Sequence, residues 1–123
     1  MTQEDKDLLI KDICGRLPYG VKISVNDKIE SLQGINILDN VVEYGSFLSC
    51  DIEEVKPYLF PLSSMTEEQE KEFALLQTSP GQEGFLYVWN CANMMKWLIE
   101  NNFDYNGLIP NGLANDATGL NVY

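Results

Sequence analysis

Apolar positions along this chain recur first with a helical period, then with a strand period, then with a helical period again. Leu9, Ile10, Ile13, Cys14 and Leu17 fall three and four residues apart and define one apolar face. Thr2 offers an N-cap with Asp5 three residues on, and Glu4, Asp5 and Asp7 suit the positive end of a helix dipole. Gly15 and Pro18 stop the pattern, which predicts a helix over 3–16. From Val21 to Val25 every second residue is apolar, as a strand with one buried face requires. Asn26-Asp27 supplies a turn, and Lys28–Leu38 a second extended run in which Gly34 predicts a bulge or bend. Asp39-Asn40 marks another turn, Val41–Tyr44 a third strand, and Phe47-Leu48 its continuation or a fourth. Such short connections make neighbouring strands antiparallel.

After Asp51 the pattern predicts that the chain leaves the sheet. Pro57 and Pro61 bracket Tyr58-Leu59-Phe60, and two prolines so close forbid a long helix, so Pro57–Met65 reads as a rigid connector. Ser64 with Glu67 and Thr66 with Gln69 then form overlapping capping boxes, predicting a helix over 66–77 whose apolar side is Phe73, Leu75 and Leu76. Thr78–Gly81 ends it, and 82–84 reads as loop. Phe85, Val88, Trp89, Ala92, Met95 and Ile99 repeat at three and four, widened by Leu86, Met94, Trp97 and Leu98. So wide an arc predicts a third helix over about 85–101, largely buried. The Asn- and Gly-rich remainder holds one short helical turn near Leu108–Leu113. The expected fold is α+β: an N-terminal helix, a small antiparallel three- to four-stranded meander, and two C-terminal helices packed on the sheet, in a single domain over residues 1–123.

Composition narrows the chemistry. The chain holds 19 acidic residues, 8 basic ones and no histidine, a formal charge of -11 on 123 residues. Without imidazole it lacks the commonest general base and metal ligand. Hydrophobic residues make up 45% of the chain, enough for a core and too many for a disordered acidic tail. Cys14, Cys50 and Cys91 are widely spaced with no CxxC, as expected of reduced, mostly buried thiols. The acidic N-terminal residues do not read as a signal peptide, and the apolar run near Phe85–Ile99 is too short and polar to span a bilayer. These features predict a cytoplasmic protein with no membrane partner.

The candidate chemistry is thin. Asp51, Glu53 and Glu54 cluster in sequence, but an acid–base pair needs carboxyls in a cleft with separated pKa values. Around Asp104, the positions that a calcium loop would fill with oxygen ligands and glycine hold Leu108, Asn115 and Ile109. Gly107, Gly112 and Gly119 match no phosphate-binding loop, so no cofactor is implied. A serine triad has no histidine to build on. With Arg16 the only arginine, the chain is poorly suited to neutralising nucleic-acid phosphates. The acidic surface invites comparison with the charge of DNA, though solubility explains it as well.

Three stretches read together carry a resemblance: Arg16–Lys22 (RLPYGVK), Lys56–Gln69 (KPYLFPLSSMTEEQ), and Phe103–Ile109 (FDYNGLI) with Gly112-Leu-Ala114. In their order they are similar to a family of small proteins of gut Bacteroidetes, their prophages and mobile elements. Those relatives usually carry a basic residue where this chain has Asn106, and a charged pair where it has Pro110-Asn111. The family has no established activity. What the resemblance implies is a cytoplasmic accessory protein carried by phage or mobile DNA.

Two functional expectations follow. The first is a non-catalytic module that binds a protein partner or a second copy of itself, with Tyr58, Phe60 and Tyr105 as the candidate contact residues. The second is a carboxylate- or divalent-metal-dependent hydrolase using Asp51, Glu53 or Asp104, which requires those carboxyls to converge.

Overall fold

A computed structural model describes residues 1–77 and 85–123 of the chain. The first helix, α1 (Gln3–Arg16), starts as its sequence predicts: Thr2 Oγ1 accepts from the Asp5 amide at 3.1 Å, and the Asp5 carboxylate accepts from the Thr2 amide at 3.3 Å. Four antiparallel strands follow: β1 (Lys22–Val25), β2 (Lys28–Asn36), β3 (Val41–Tyr44) and β4 (Leu48–Asp51). Asn26 and Asp27, at φ 51° and 63°, make the two-residue turn between β1 and β2. Asn and Asp are the non-glycine residues best able to hold that left-handed backbone, and it matches the twist of the strands. Gly34 does mark a bulge, since the β2–β3 register shifts between Leu32 and Gly34. A Cβ there would lie 2.7 Å from a carboxylate oxygen of Glu43.

The small meander is only part of the sheet. Among the described residues the sheet has seven strands and is mixed, in the order β4-β3-β2-β1-β5-β6, with β7 also on β5. The expected connector is itself a strand, β5 (Val55–Pro61), antiparallel to β1. β6 (Phe103–Asp104) and β7 (Asn115–Asp116) then pair with β5 in parallel. Register explains why Pro57 does not break β5, while Pro61 is its last residue. Beyond the Ile23–Pro57 pair, the Lys22 amide and the Tyr58 carbonyl face each other across the hydroxyl of Tyr123, which accepts from the first at 3.0 Å and donates to the second at 2.6 Å. Hydrogen-bonded pairs alternate along an antiparallel ladder, so Lys22–Tyr58 and Ser24–Lys56 are bonding positions and Ile23–Pro57 is not. Proline stands where β1 asks for no N–H.

The core lies between α1 and the sheet. Leu9, Ile10 and Ile13 of α1 pack with Val21, Ile23, Val25, Val42, Val55 and Leu59, and Leu108, Leu113 and Ala114 of the C-terminal turns close the cluster. Residues 108–112 form successive turns, with no helical element there. Burying a Leu or Ile side chain contributes about 1.5–3 kcal/mol, so this cluster dominates stability.

The two later helices, α2 (Glu67–Gln77) and α3 (Phe85–Glu100), are where predicted. Thr66 and Gln69 close the predicted capping box, each accepting from the other's amide at 3.1 and 3.0 Å. The predicted helix end at Thr78–Gly81 and the loop at 82–84 lie outside the described residues. The packing, however, departs from expectation. α1 supplies the helical half of the core, while α2 buries no residue and Leu98 is the one α3 residue buried among those described.

Candidate interaction surface

Two of the resembling stretches meet in the interior. Arg16, wholly buried in the last turn of α1, pairs with Asp12 one turn earlier through Nε and Nη2. Nη2 also donates to the Phe103 carbonyl at 2.8 Å, and Asn106 Nδ2 donates to the Asp12 carboxylate at 2.8 Å. The Tyr105 ring lies over the guanidinium at 4.8 Å. Buried charges are tolerable only when paired, and although Arg16 Nη1 finds no hydrogen-bond partner, the bonds through Nε and Nη2 tie α1 to the C-terminal segment. Burial, and secondarily the Asp12 carboxylate, push the Tyr105 phenol above its ordinary range.

A line of rings runs outward from the same place. Phe103 stacks on Trp97 at 5.6 Å, and Trp97 on Phe73 at 5.4 Å; Phe60 meets Phe103 at 6.3 Å and Tyr123 at 6.0 Å. Trp97 also donates its indole N–H to Glu72 at 3.1 Å. The ladder attaches α2 and α3 to the body and fixes which side of α3 faces inward.

Tyr58, Phe60 and Tyr105 are therefore all half-buried. Phe60 belongs to the ring ladder and Tyr105 to the Arg16 cluster, while Tyr58 stands on β5 with its carbonyl bonded to Tyr123. The fold does not gather them into one open patch.

The carboxylates singled out for hydrolysis do not converge either. Asp51 accepts from the Glu53 amide at 3.0 Å as a cap, and Glu53 pairs with Lys6 at 3.1 Å. Asp104 accepts from the Leu108 and Ile109 amides, both at 2.9 Å, and so fastens the turn after β6. Asp51 and Asp104 lie in β4 and β6, at opposite ends of the strand order. Among the described residues, no group of three or more Asp, Glu and Cys side chains is placed to hold a metal ion. All three cysteines are free and half-buried, less enclosed than expected. Burial raises the pKa of Cys14, and burial with Glu54 and Asp51 raises that of Cys50, which keeps both as thiols. No described helix is long and apolar enough to cross a membrane.

What the molecule does present is apolar surface. On α3, Val88 is 63% exposed, Trp89 68% and Met95 40%, while Ala92 is open and Ile99 half-buried. At 100° per residue, Val88, Ala92, Met95 and Ile99 fall on one stripe, roughly opposite the side on which Trp97 meets the body. The predicted core face of this helix is thus its outer face. The helix carries two apolar arcs, and the stacked rings around Trp97 claim the other one. A second apolar feature is the turn between β3 and β4, where Phe47 is fully exposed at φ 67°. An aromatic residue in that left-handed region costs roughly 1–2 kcal/mol. Beside it runs an open groove of about 520 Å³, lined by Gln33, Glu43, Tyr44, Leu48 and Ser49. The α3 stripe was visible in the sequence but read as core; nothing in the sequence marks Phe47. Compared with known protein families, curated proteins and solved structures, the chain matches none of them.

Proposed function

We propose that this chain is a small, non-catalytic protein-binding module that acts through surface contact, as an accessory protein of phage or mobile DNA. The observation that carries the reading is the stripe of Val88, Ala92, Met95 and Ile99 on the outer side of α3. Scattered exposed apolar residues are ordinary, but a helical stripe exposed at Val88, Ala92 and Met95 and half-open at Ile99, beside a complete core, is not. The engagement of Asp51, Glu53 and Asp104 in caps and an ion pair supports the same reading over hydrolysis. Tyr58, Phe60 and Tyr105 then serve the contact indirectly, Phe60 and Tyr105 by holding the C-terminal segment on which α3 is seated.

The test compares affinity capture by the wild type and by Val88→Asp/Met95→Asp, two exposed positions whose change leaves the fold intact. The reading expects protein captured specifically by the wild type, its own copies included, and lost with the variant. Capture that is equal for both counts against it.

A further inference from the structure

The geometry points to a second copy of this chain as the occupant of the α3 stripe, the two helices lying antiparallel about a two-fold axis that passes between Asn93 and Met94. The inference rests on the reading of α3 as a contact surface. Its first support is spacing. Val88, Ala92, Met95 and Ile99 are separated by four, three and four residues, a series that reads the same in both directions and follows the seam of paired helices. Antiparallel pairing about that axis sets Val88 against Ile99 of the partner copy, and Ala92 against Met95. A small side chain meets a long flexible one at each central position. Parallel pairing sets Met95 on Met95 and leaves Ala92 facing Ala92, crowded at one level and hollow at the next.

The second support is charge. Two copies that each carry -11 repel one another wherever carboxylates approach. α3 is the exception, holding one lysine and one glutamate, Lys96 and Glu100, which pair at 3.8 Å within the helix. Glu72 on α2 is held by Trp97, across α3 from the stripe. A foreign partner attracted by charge is basic and is drawn to the acidic surfaces elsewhere, whereas a like-charged copy can dock only through a neutral face. A contact made by one pair of 16-residue helices is smaller than the roughly 800 Å² per partner of a standard interface, so the expected dimer forms in the micromolar range.

Sedimentation of the full chain across that concentration range tests the inference. Wild type should pass from monomer to dimer, and added salt should strengthen the dimer by screening the repulsion. Met95→Glu should be monomeric at every concentration with an unchanged circular dichroism spectrum. On a Cys91→Ser background, a mixture of Ala92→Cys and Met95→Cys chains should form a disulfide-linked dimer under oxidation, and Ala92→Cys alone should not. A wild type that stays monomeric, a dimer indifferent to Met95→Glu, or cross-linking by Ala92→Cys alone as readily as by the mixture each overturns the self-pairing. If the self-pairing falls while affinity capture still depends on Val88 and Met95, the binding-module reading survives it. If capture is also indifferent to those residues, both fall.

Discussion

The body built from α1 and the sheet and the arm built from α2 and α3 use similar apolar material to different ends. In the body, Leu9, Ile13, Ile23, Val42 and Leu59 are enclosed, and the one arginine is sealed in with Asp12. In the arm, Leu75, Val88, Trp89 and Met95 face water, and attachment runs through the rings of Phe73, Trp97 and Phe103. Apolar composition alone therefore does not say where a core is. A helix is buried only as far as the surface it leans on extends, and α3 leans on one side. The body holds the fold, and the arm presents a surface that folding does not use up.

The sharpest way to break that contrast is at Arg16. Arg16→Ala leaves the Asp12 carboxylate buried without its partner and should cost about 3–5 kcal/mol, measured by urea denaturation. Replacing both members, as in Asp12→Leu/Arg16→Met, should recover most of that loss, because two apolar side chains leave no orphaned charge. Next in size is Trp97→Ala, which removes the middle ring of the ladder. About 2 kcal/mol should be lost. Hydrogen exchange should place the loss in α2 and α3 while β1–β3 keep their protection; equal loss everywhere would make body and arm a single cooperative unit. Phe47→Gly relieves the left-handed backbone at the hairpin tip and should raise stability by about 1 kcal/mol.

Smaller again is the effect of alkali on Tyr123. Burial pushes its hydroxyl up to about 12, against the Lys22 amide and Arg16, which both pull it down, although the residue is 47% exposed. An unfolded chain gives up this proton near pH 10, before the folded one does. The contribution is therefore complete below about pH 10 and lost as pH rises towards 12. The exposed ring limits its size. Tyr123→Phe should flatten part of the alkaline limb of a stability profile, to which Tyr44, Tyr105, Cys14 and Cys50, raised in the same direction, also contribute. Smallest of all, Met95→Glu should move stability by less than about 0.5 kcal/mol, as an exposed position of the arm requires.

Local chemistry made much of this fold readable. Thr2 and Asp5, Asn26-Asp27, Gly34, and Thr66 with Gln69 each act within a few residues, and each does what its neighbours predict. The hidden parts depend on partners far along the chain. β5 carries two prolines, Pro57 harmless because of the register β1 imposes and Pro61 because the strand ends there. β6 and β7 are two residues each, too short for any period to appear. The orientation of α3 was ambiguous because both of its arcs are apolar, and only stacking of Trp97 on Phe103 selects one. Tyr58, Phe60 and Tyr105 stand near prolines and glycines, where an aromatic ring reads as a contact residue, yet Phe60 and Tyr105 hold segments together.

Past the bridge from Tyr58 to β1, the backbone of Tyr58–Pro61 finds its strand partners in segments beginning more than forty residues downstream, at Phe103 and Asn115. During synthesis the α1–β4 portion can assemble from local contacts, but this apolar stretch must wait with backbone groups unpaired until residues 103–116 leave the ribosome. An unpaired ribbon of Tyr, Leu and Phe is a template for mispairing between nascent molecules. The late, two-residue strands thus close the vulnerable interval in the life of this protein, and chains truncated before residue 103 should aggregate rather than fold.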